Sequence, residues 1–451
     1  MVWLLAIVAL LVVAYVIQSG LLAFAGYVLL AAVLLTRLLT RSGLKQIETE
    51  RTISAAEVDA GERVAVDVHV ENASRLPVPW LLLEDLLPEF ALKQRPPRLR
   101  VQGRRQAIRM LRGSQAAALR YKLAELRRGF YQIGPLVMES GDLFGLHRRY
   151  RVAAPPAYLL VYPRIVPLRG YDIASRRPIG EVRLTHRLFE DPTRIAGVRP
   201  YEFGDPLHRI HWRATARTGR LHSKIVEPSA LAGATLVLDF HNAGYPARGE
   251  PYRSDLAVTA AASLAFAVAE LGQQIGLVTN ASDAAERLSP TNFRRAMSHD
   301  SSDAADQRLV EAVRADSQKP PGERRRLLHV PTGRGVDRFQ QIRTTLARAE
   351  LNDGLTLPQM ILEGQPRLPR DATVVVLAPA ISDEAALALG NLKRQGYAVT
   401  VFLIAVSEDE VPTAYGRLAA QGIRDVRPLR EEAALPDLCF AEVTRTPVGM
   451  V

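Results

Sequence analysis

From residue 1 to residue 36 the chain carries no charged side chain, and nothing else in it limits the fold so strongly. The apolar run breaks once, at Gln18-Ser19-Gly20. Residues 2–17 and 21–36 each come close to the roughly 17–25 residues that a bilayer-crossing helix requires. The expected structure is therefore a transmembrane helical hairpin over residues 1–40, because a single helix of this length would need heavy tilt. A cleaved signal peptide would show a basic start, a shorter apolar core and a small-residue cleavage site, whereas this start has no early Lys or Arg and continues apolar well past that length. Arg37, Arg41, Lys45 and Arg51 follow the second run, whereas the turn between the runs is uncharged. The excess of positive charge on the inner side then places both termini and the soluble domains in the cytoplasm.

At 451 residues, two or three domains are expected. A hydrophobic fraction of 48% with 23% charged residues excludes large-scale disorder. The single cysteine, Cys439, excludes an intramolecular disulfide and any multi-cysteine metal site. Much of the net charge of +11 lies in residues 93–151, where fifteen Lys and Arg face three acids, Glu125, Glu139 and Asp142. A polyanion or an anionic lipid surface is a candidate partner for that stretch, and nucleic acid is disfavoured if a membrane lies nearby.

Downstream, two patterns alternate. Val64, Val66, Val68 and Val70 recur at every second position, the period of a half-buried strand. Short strands bounded by Gly, Pro and Asn turns predict a small antiparallel β-sandwich over residues 46–155. From residue 233 the apolar runs become continuous, as in Ala234-Thr235-Leu236-Val237-Leu238, which marks strands buried on both faces of a parallel sheet. Helical patterns over residues 255–271, 336–351 and 384–395 lie between them. A C-terminal α/β doubly wound domain over residues 233–451 follows, with a polar insertion at about 281–326 expected to be exposed.

The junction, residues 156–232, holds the densest chemistry. Arg199-Pro-Tyr201-Glu-Phe-Gly204-Asp205-Pro-Leu-His208-Arg209-Ile-His211-Trp212-Arg213-Ala-Thr215-Ala-Arg217 contains four arginines and one of three tryptophans. Gly204-Asp205-Pro206 should turn the chain, and Asp205 can cap the helical turn after it. Arg209, Arg213 and Arg217 share one helical face, and guanidinium forks held that way suit carboxylates, phosphate or an aromatic ring. Trp212 and Tyr201 among the arginines point to burial, so a structural latch between domains is expected, with a partner-docking surface as the rival. Trp212→Ala should then cost several kcal/mol.

His186, His208, His211, His222 and His241 raise a zinc reading, yet His-x-x-His without a third ligand carries little. A metal-dependent hydrolase centred on Asp239 and these histidines is the alternative function. Asp239 ends a strand, where a hard cation would want two hydroxyls two and four residues on. His241 and Ala243 stand there instead, so neither Mg²⁺ nor any other cofactor is expected.

The junction run resembles the diagnostic core of domain of unknown function 58 proteins. Arg128-Gly129-x-Tyr131-x-x-Gly134-Pro135 and Asp142-Leu143-Phe144-Gly145-Leu146 are similar to that family's upstream pattern, and the paired N-terminal runs match its layout. The resemblance implies a bacterial inner-membrane protein with a von Willebrand A-like C-terminal half. It also implies association with MoxR-type AAA+ ATPases in a chaperone-like or assembly system. On this reading the chain is a membrane-anchored scaffold, not an enzyme, that binds a protein partner. Arg199, Tyr201, Gly204, Asp205, Arg209, His211, Trp212, Thr215 and Arg217 are its signature residues.

Overall fold

The computed structural model describes residues 2–141, 148–169, 190–201, 210–228, 233–288, 303–318, 326–369 and 373–438. The chain divides into two compact units, one of Met1–Pro163, Asp283–Gly322 and Ala347–Ala349, the other of Arg164–Ser282, Glu323–Leu346 and Glu350–Val451.

The first unit opens with helices α1 (Val2–Val16) and α2 (Gly20–Gly43). They pack closely because Gly26 has no side chain: a Cβ there would fall 2.5 Å from Leu11. The transmembrane hairpin expected over residues 1–40 is corrected here. At 15 residues, α1 rises only about 22 Å, short of the roughly 30 Å hydrocarbon core. The apolar stretch of α2 ends at Thr36 and Arg37, about 24 Å along the helix. Among the described residues no helix is long and apolar enough to cross a membrane. An absence of charge reads the same in a span and in a shorter helix pair, so composition overestimated the length.

Strands dominate the rest of this unit: β1 (Ile47–Ile53), β2 (Glu57–Asp59), β3 (Val64–Asn72), β4 (Val78–Asp85), β5 (Arg100–Gly103), β6 (Gln106–Leu111), β7 (Ala116–Ala124), β8 (Gly129–Ile133), β9 (Leu136–Gly141), β10 (Arg148–Ala154) and β11 (Ala157–Tyr162). They form two four-stranded sheets, ordered β1-β3-β7-β5 and β10-β9-β4-β6, and a three-stranded sheet β2-β11-β8. The alternation of β3 sends Val64, Val66, Val68 and Val70 into one core with Leu81, Leu83, Leu119, Tyr121 and Leu123. The Arg128-Gly129-x-Tyr131-x-x-Gly134 run is structural in this unit. Tyr131 folds its ring over Gly129, where a Cβ would lie 2.7 Å from the ring, and donates to the carbonyls of Arg127 and Arg128. Gly134 has φ +87°, and a side chain there would collide with the Arg51 guanidinium.

Arg51, read from sequence as a charge flanking a membrane span, lies inside this unit with its side chain 4% exposed. It pairs with Asp85, which is fully buried and also accepts from the Tyr121 hydroxyl at 2.6 Å. The basic stretch of residues 93–151 is likewise partly consumed by neighbours. Arg100 meets Glu125 at 2.7 Å, Arg120 meets Asp67 at 2.9 Å, and Arg151 donates to the Leu44 and Ile47 carbonyls.

The second unit contains β12 (Glu190–Pro200), α3 (Trp212–Thr218), β13 (His222–Pro228), β14 (Gly233–Leu238), α4 (Tyr252–Glu270) and β15 (Gln274–Thr279). Helix α5 (Asp303–Gln318) interrupts it and belongs to the first unit. Then come β16 (Leu328–Gly333), α6 (Val336–Arg348), α7 (Leu357–Gly364), β17 (Thr373–Ala378), α8 (Asp383–Arg394), β18 (Val399–Ile404), α9 (Val411–Ala420) and β19 (Val426–Leu429). Six strands form one sheet, ordered β16-β15-β14-β17-β18-β19, parallel throughout except for the antiparallel edge strand β16. Val237, Val278, Val374, Val376, Val401 and Leu403 face helices α7, α8 and α9 in a shared core. Helix α4 runs along the sheet with thirteen buried residues from Ser254 to Val268, and its Phe266 meets Phe339 of α6 at 5.5 Å.

The polar stretch at about 281–326, expected as an exposed insertion of the α/β region, contributes α5 to the β-rich unit. Val310 is 1% exposed and packs on Leu86, Val137 and Val152, with Leu309 and Val313 beside it. Arg314 donates to Glu84 at 2.8 Å. Three apolar positions suffice to seat an otherwise polar helix, too few to stand out in composition.

Candidate functional site: the signature hairpin and the strand-end network

The described parts of the signature run, residues 199–201 and 210–217, lie at one end of a β-hairpin. Strands β12 and β13 pair antiparallel, with Arg199 opposite Ser223 and Pro200 opposite His222. The ladder continues through Tyr201 N to the Leu221 carbonyl at 2.9 Å. Residues 202–209 lie outside the described residues, and with them Gly204, Asp205, His208 and Arg209; His186 lies outside as well. Ile210, 4% exposed, bridges Ser223, and His211 N donates to the His222 carbonyl at 2.8 Å.

Helix α3 then stands on the hairpin, fastened at both ends and along its side. His211 caps it, its Nδ1 accepting from Ala214 N at 3.0 Å in the tautomer that leaves that nitrogen bare. Thr215 Oγ1 accepts from His222 N at 3.1 Å and ties the helix to β13. Gly219 ends it at φ +72°, the left-handed position that glycine takes without cost. His222 Nδ1 sits 2.8 Å from the Arg220 carbonyl and 3.1 Å from Thr218 Oγ1. His211 and His222 are thus local fasteners, and among the described residues no group of three or more His, Cys, Asp or Glu could hold a metal. His211→Ala should cost about 1 kcal/mol by removing the cap. The check is hydrogen exchange at Ala214, whose amide should exchange several-fold faster; unchanged protection there would refute the capping role.

The latch expected at Trp212 is corrected. Its side chain is 68% exposed, and α3 buries no residue at all. A seven-residue helix makes fewer than two turns, so Trp212 at its first position projects from the tip instead of packing into a core. Arg213 and Arg217, four residues apart, lie on the same helix; Arg217 is exposed and so is Arg213, while Tyr201 is half-buried. Arg199 contacts the Pro200 carbonyl at 3.3 Å.

A second polar centre lies at the carboxyl ends of β14 and β15. Asp239 comes directly after β14 and is 7% exposed. Its Oδ1 accepts from Asn280 Nδ2 at 2.8 Å and from His241 N at 3.2 Å. Asn280 works on three elements at once. Its Oδ1 accepts from Phe240 N at 2.6 Å, its amide also donates to the Leu355 carbonyl at 2.8 Å, and its own carbonyl accepts from Asn352 at 3.4 Å. Tyr245 closes the group by donating to the Asp239 carbonyl at 2.9 Å. Asp239 therefore sits among N–H donors, whereas a hard cation would want further oxygens around it. His241 Nδ1 accepts from Ala243 N at 3.2 Å, so the two positions where hydroxyls would serve a metal form a small turn. Asn280 and Asn352 escaped the sequence reading. The available signal was Asn280 itself, a polar residue closing a continuous apolar strand in the position Asp239 holds on the neighbouring strand.

Burial raises the Asp239 carboxyl above its ordinary range, opposed by the Asn280 and His241 hydrogen bonds and the nearby His241 ring. For an acid with a raised folded pKa, the unfolded chain releases its proton first as pH rises. Stability therefore falls from the unfolded value near 4 up to the folded pKa and is level beyond it. Asp239→Asn keeps the accepting oxygen and removes the charge, so its stability relative to the native chain should grow over that interval. Urea midpoints of both proteins between about pH 4 and pH 8 test this; parallel curves would defeat it.

Residues 197–320 match the family described as "Protein of unknown function DUF58". Among curated proteins, the chain is 25% identical over 230 residues to the "Uncharacterized protein YeaD" of Bacillus subtilis (strain 168), covering 48% of this chain and 53% of that one. The chain thus spans about half the length of the curated relative it matches. Among solved structures, proximal thread matrix protein 1 from the mussel byssus aligns with a TM-score of 0.30 and 10% identity, over 46% of each chain. The CARDB domain of PF1109 from Pyrococcus furiosus aligns at 0.17 and 13%, over 26% of this chain and 91% of that one. TM-scores this low fix neither fold nor function.

Proposed function

We propose that this chain, which carries a DUF58-family domain at residues 197–320, is a non-catalytic scaffold that docks a protein partner on helix α3. The observation that carries this reading is the 68% exposure of Trp212 on a short, well-fastened helix. Tryptophan and arginine dominate binding hot spots because they combine large contact area with directed hydrogen bonding. Trp212, Arg213 and Arg217 supply both, and the hairpin holds them in place before any partner arrives, which lowers the entropy lost on docking. The arginines favour an acidic counterpart. The family resemblance supports a MoxR-type AAA+ ATPase as that partner, with the sheet of the second unit as a von Willebrand A-like support.

Trp212→Ala should leave thermal and urea stability within about 0.5 kcal/mol of the native chain, as exposed substitutions do. It should also reduce recovery of the MoxR-type ATPase at least tenfold in affinity capture from native cells, quantified by mass spectrometry. A variant that retains the ATPase, or that unfolds, sinks the docking reading.

A further inference from the structure

Two and three strands along the sheet from β14, the carboxyl ends of β18 and β19 meet the start of α4. A cavity of about 390 Å³ opens there, lined in part by Tyr252, Arg253, Val406, Ser407, Glu408 and Arg430. Open α/β sheets take their ligands in this kind of crevice, outside the carboxyl ends of the strands, and the volume suits a small molecule.

The charges in it are unequally matched. Arg430 pairs with Glu408. The Arg253 guanidinium has neither an ion pair nor a hydrogen bond among the described residues. Room for it depends on Gly249, at φ +113°, where a Cβ would stand 3.1 Å from Arg253 Nε. Across the cavity Ala405 adopts φ +54°, a left-handed conformation uncommon for a residue with a side chain, held by its N–H on the Leu429 carbonyl at 2.7 Å. That turn places Val406 and Ser407 at the cavity wall.

The N-terminal end of α4 is not the anion site, because Glu250 already accepts from Ser254 N at 3.1 Å. A ligand must therefore be held by side chains. Glu408 on the wall, with Asp409 and Glu410 next in the chain, would repel a doubly charged group more than a singly charged one. Tyr252, 43% exposed, lines the same cavity as Arg253 and offers it an aromatic ring.

We propose that this cavity binds a small organic monocarboxylate, its carboxylate on the Arg253 fork and the Ser407 hydroxyl, its apolar body against Tyr252 and Val406. A planar guanidinium meets a carboxylate with two parallel hydrogen bonds, which a lysine ammonium cannot reproduce.

Titration of the purified full chain by calorimetry, with benzoate as the probe and inorganic phosphate as the second probe, tests this. Benzoate should saturate below about 10 mM, and phosphate should bind more weakly. Arg253→Gln should weaken benzoate at least tenfold, Arg253→Lys should fall between, Ser407→Ala should lose a few-fold, and Arg109→Gln, at an exposed position of β6, should change nothing. If Arg253→Gln does not fold, the lysine and Ser407→Ala variants carry the comparison. Benzoate that never saturates, phosphate that binds more tightly, or affinity indifferent to Arg253 and Ser407 would each overturn the assignment. None of these outcomes bears on docking at Trp212.

Discussion

Arg51→Met is expected to lower the unfolding free energy of the β-rich unit by about 3–5 kcal/mol, the usual result of orphaning one partner of a buried ion pair. Arg51 and Asp85 are 4% and 0% exposed in their side chains, so neither can turn to water when the other is removed. Arg51 also donates to the Pro155 carbonyl and thereby ties β1 to the chain before β11. Asp85 would keep Tyr121 at 2.6 Å but lose its main counter-charge. Its carboxyl is already raised by burial, with Arg51 the largest opposing influence. Without Arg51 it rises further, so the deficit deepens as pH climbs from the unfolded value near 4 toward the new folded pKa. Arg51→Met with Asp85→Leu should recover most of the loss, since apolar replacement of a whole buried pair is often neutral. Chemical unfolding at pH 5 and pH 8 distinguishes the cases. A single-variant loss below about 1 kcal/mol, or a double variant no better than the single, would refute the ion-pair account.

Asn280→Ala is expected to cost the second unit about 4 kcal/mol, because three hydrogen bonds end on one side chain and each buried group left unmet costs about 1–3 kcal/mol. Phe240 N, the Leu355 carbonyl and Asp239 Oδ1 all lose their Asn280 partner, and Phe240 is completely buried. Asn280→Asp is the sharper probe. It sets a second carboxylate against Asp239, whose oxygen lies 2.8 Å from the present amide nitrogen. The two cannot both ionise comfortably, so this variant should approach native stability in mild acid and lose it as pH rises. Urea unfolding across pH measures both. An Asn280→Asp variant as stable at pH 8 as at pH 5 would show that the network does not clamp the strand ends.

Particular residues show where sequence reading succeeded and where it stopped. Val64 to Val70 alternate because every second side chain of a strand points the same way, and that period is visible in any seven residues. The unbroken run from Ala234 to Leu238 is equally local: all six residues of β14 are buried, with apolar neighbours on both faces. Absence of charge over residues 1–36 is local too, but it does not state how long a helix will be, and there the expected span failed. Trp212 failed for a related reason. Aromatic and basic residues together look like a buried cation–π cluster, yet whether a wall exists for the ring depends on what the fold brings up to α3.

Strand periods, helix stretches, the glycines at 134 and 219 and the concentration of chemistry in residues 199–217 were set by the sequence alone, since each arises from steric and hydrophobic preferences within a few residues. Tertiary structure alone decided that Arg51 would meet Asp85, that Asn280 would hold Asp239, and that Arg253 would find no counter-charge among the described residues. These pairings join residues far apart in the chain, and their energies come from desolvation, which no residue experiences until the rest of the fold has closed around it.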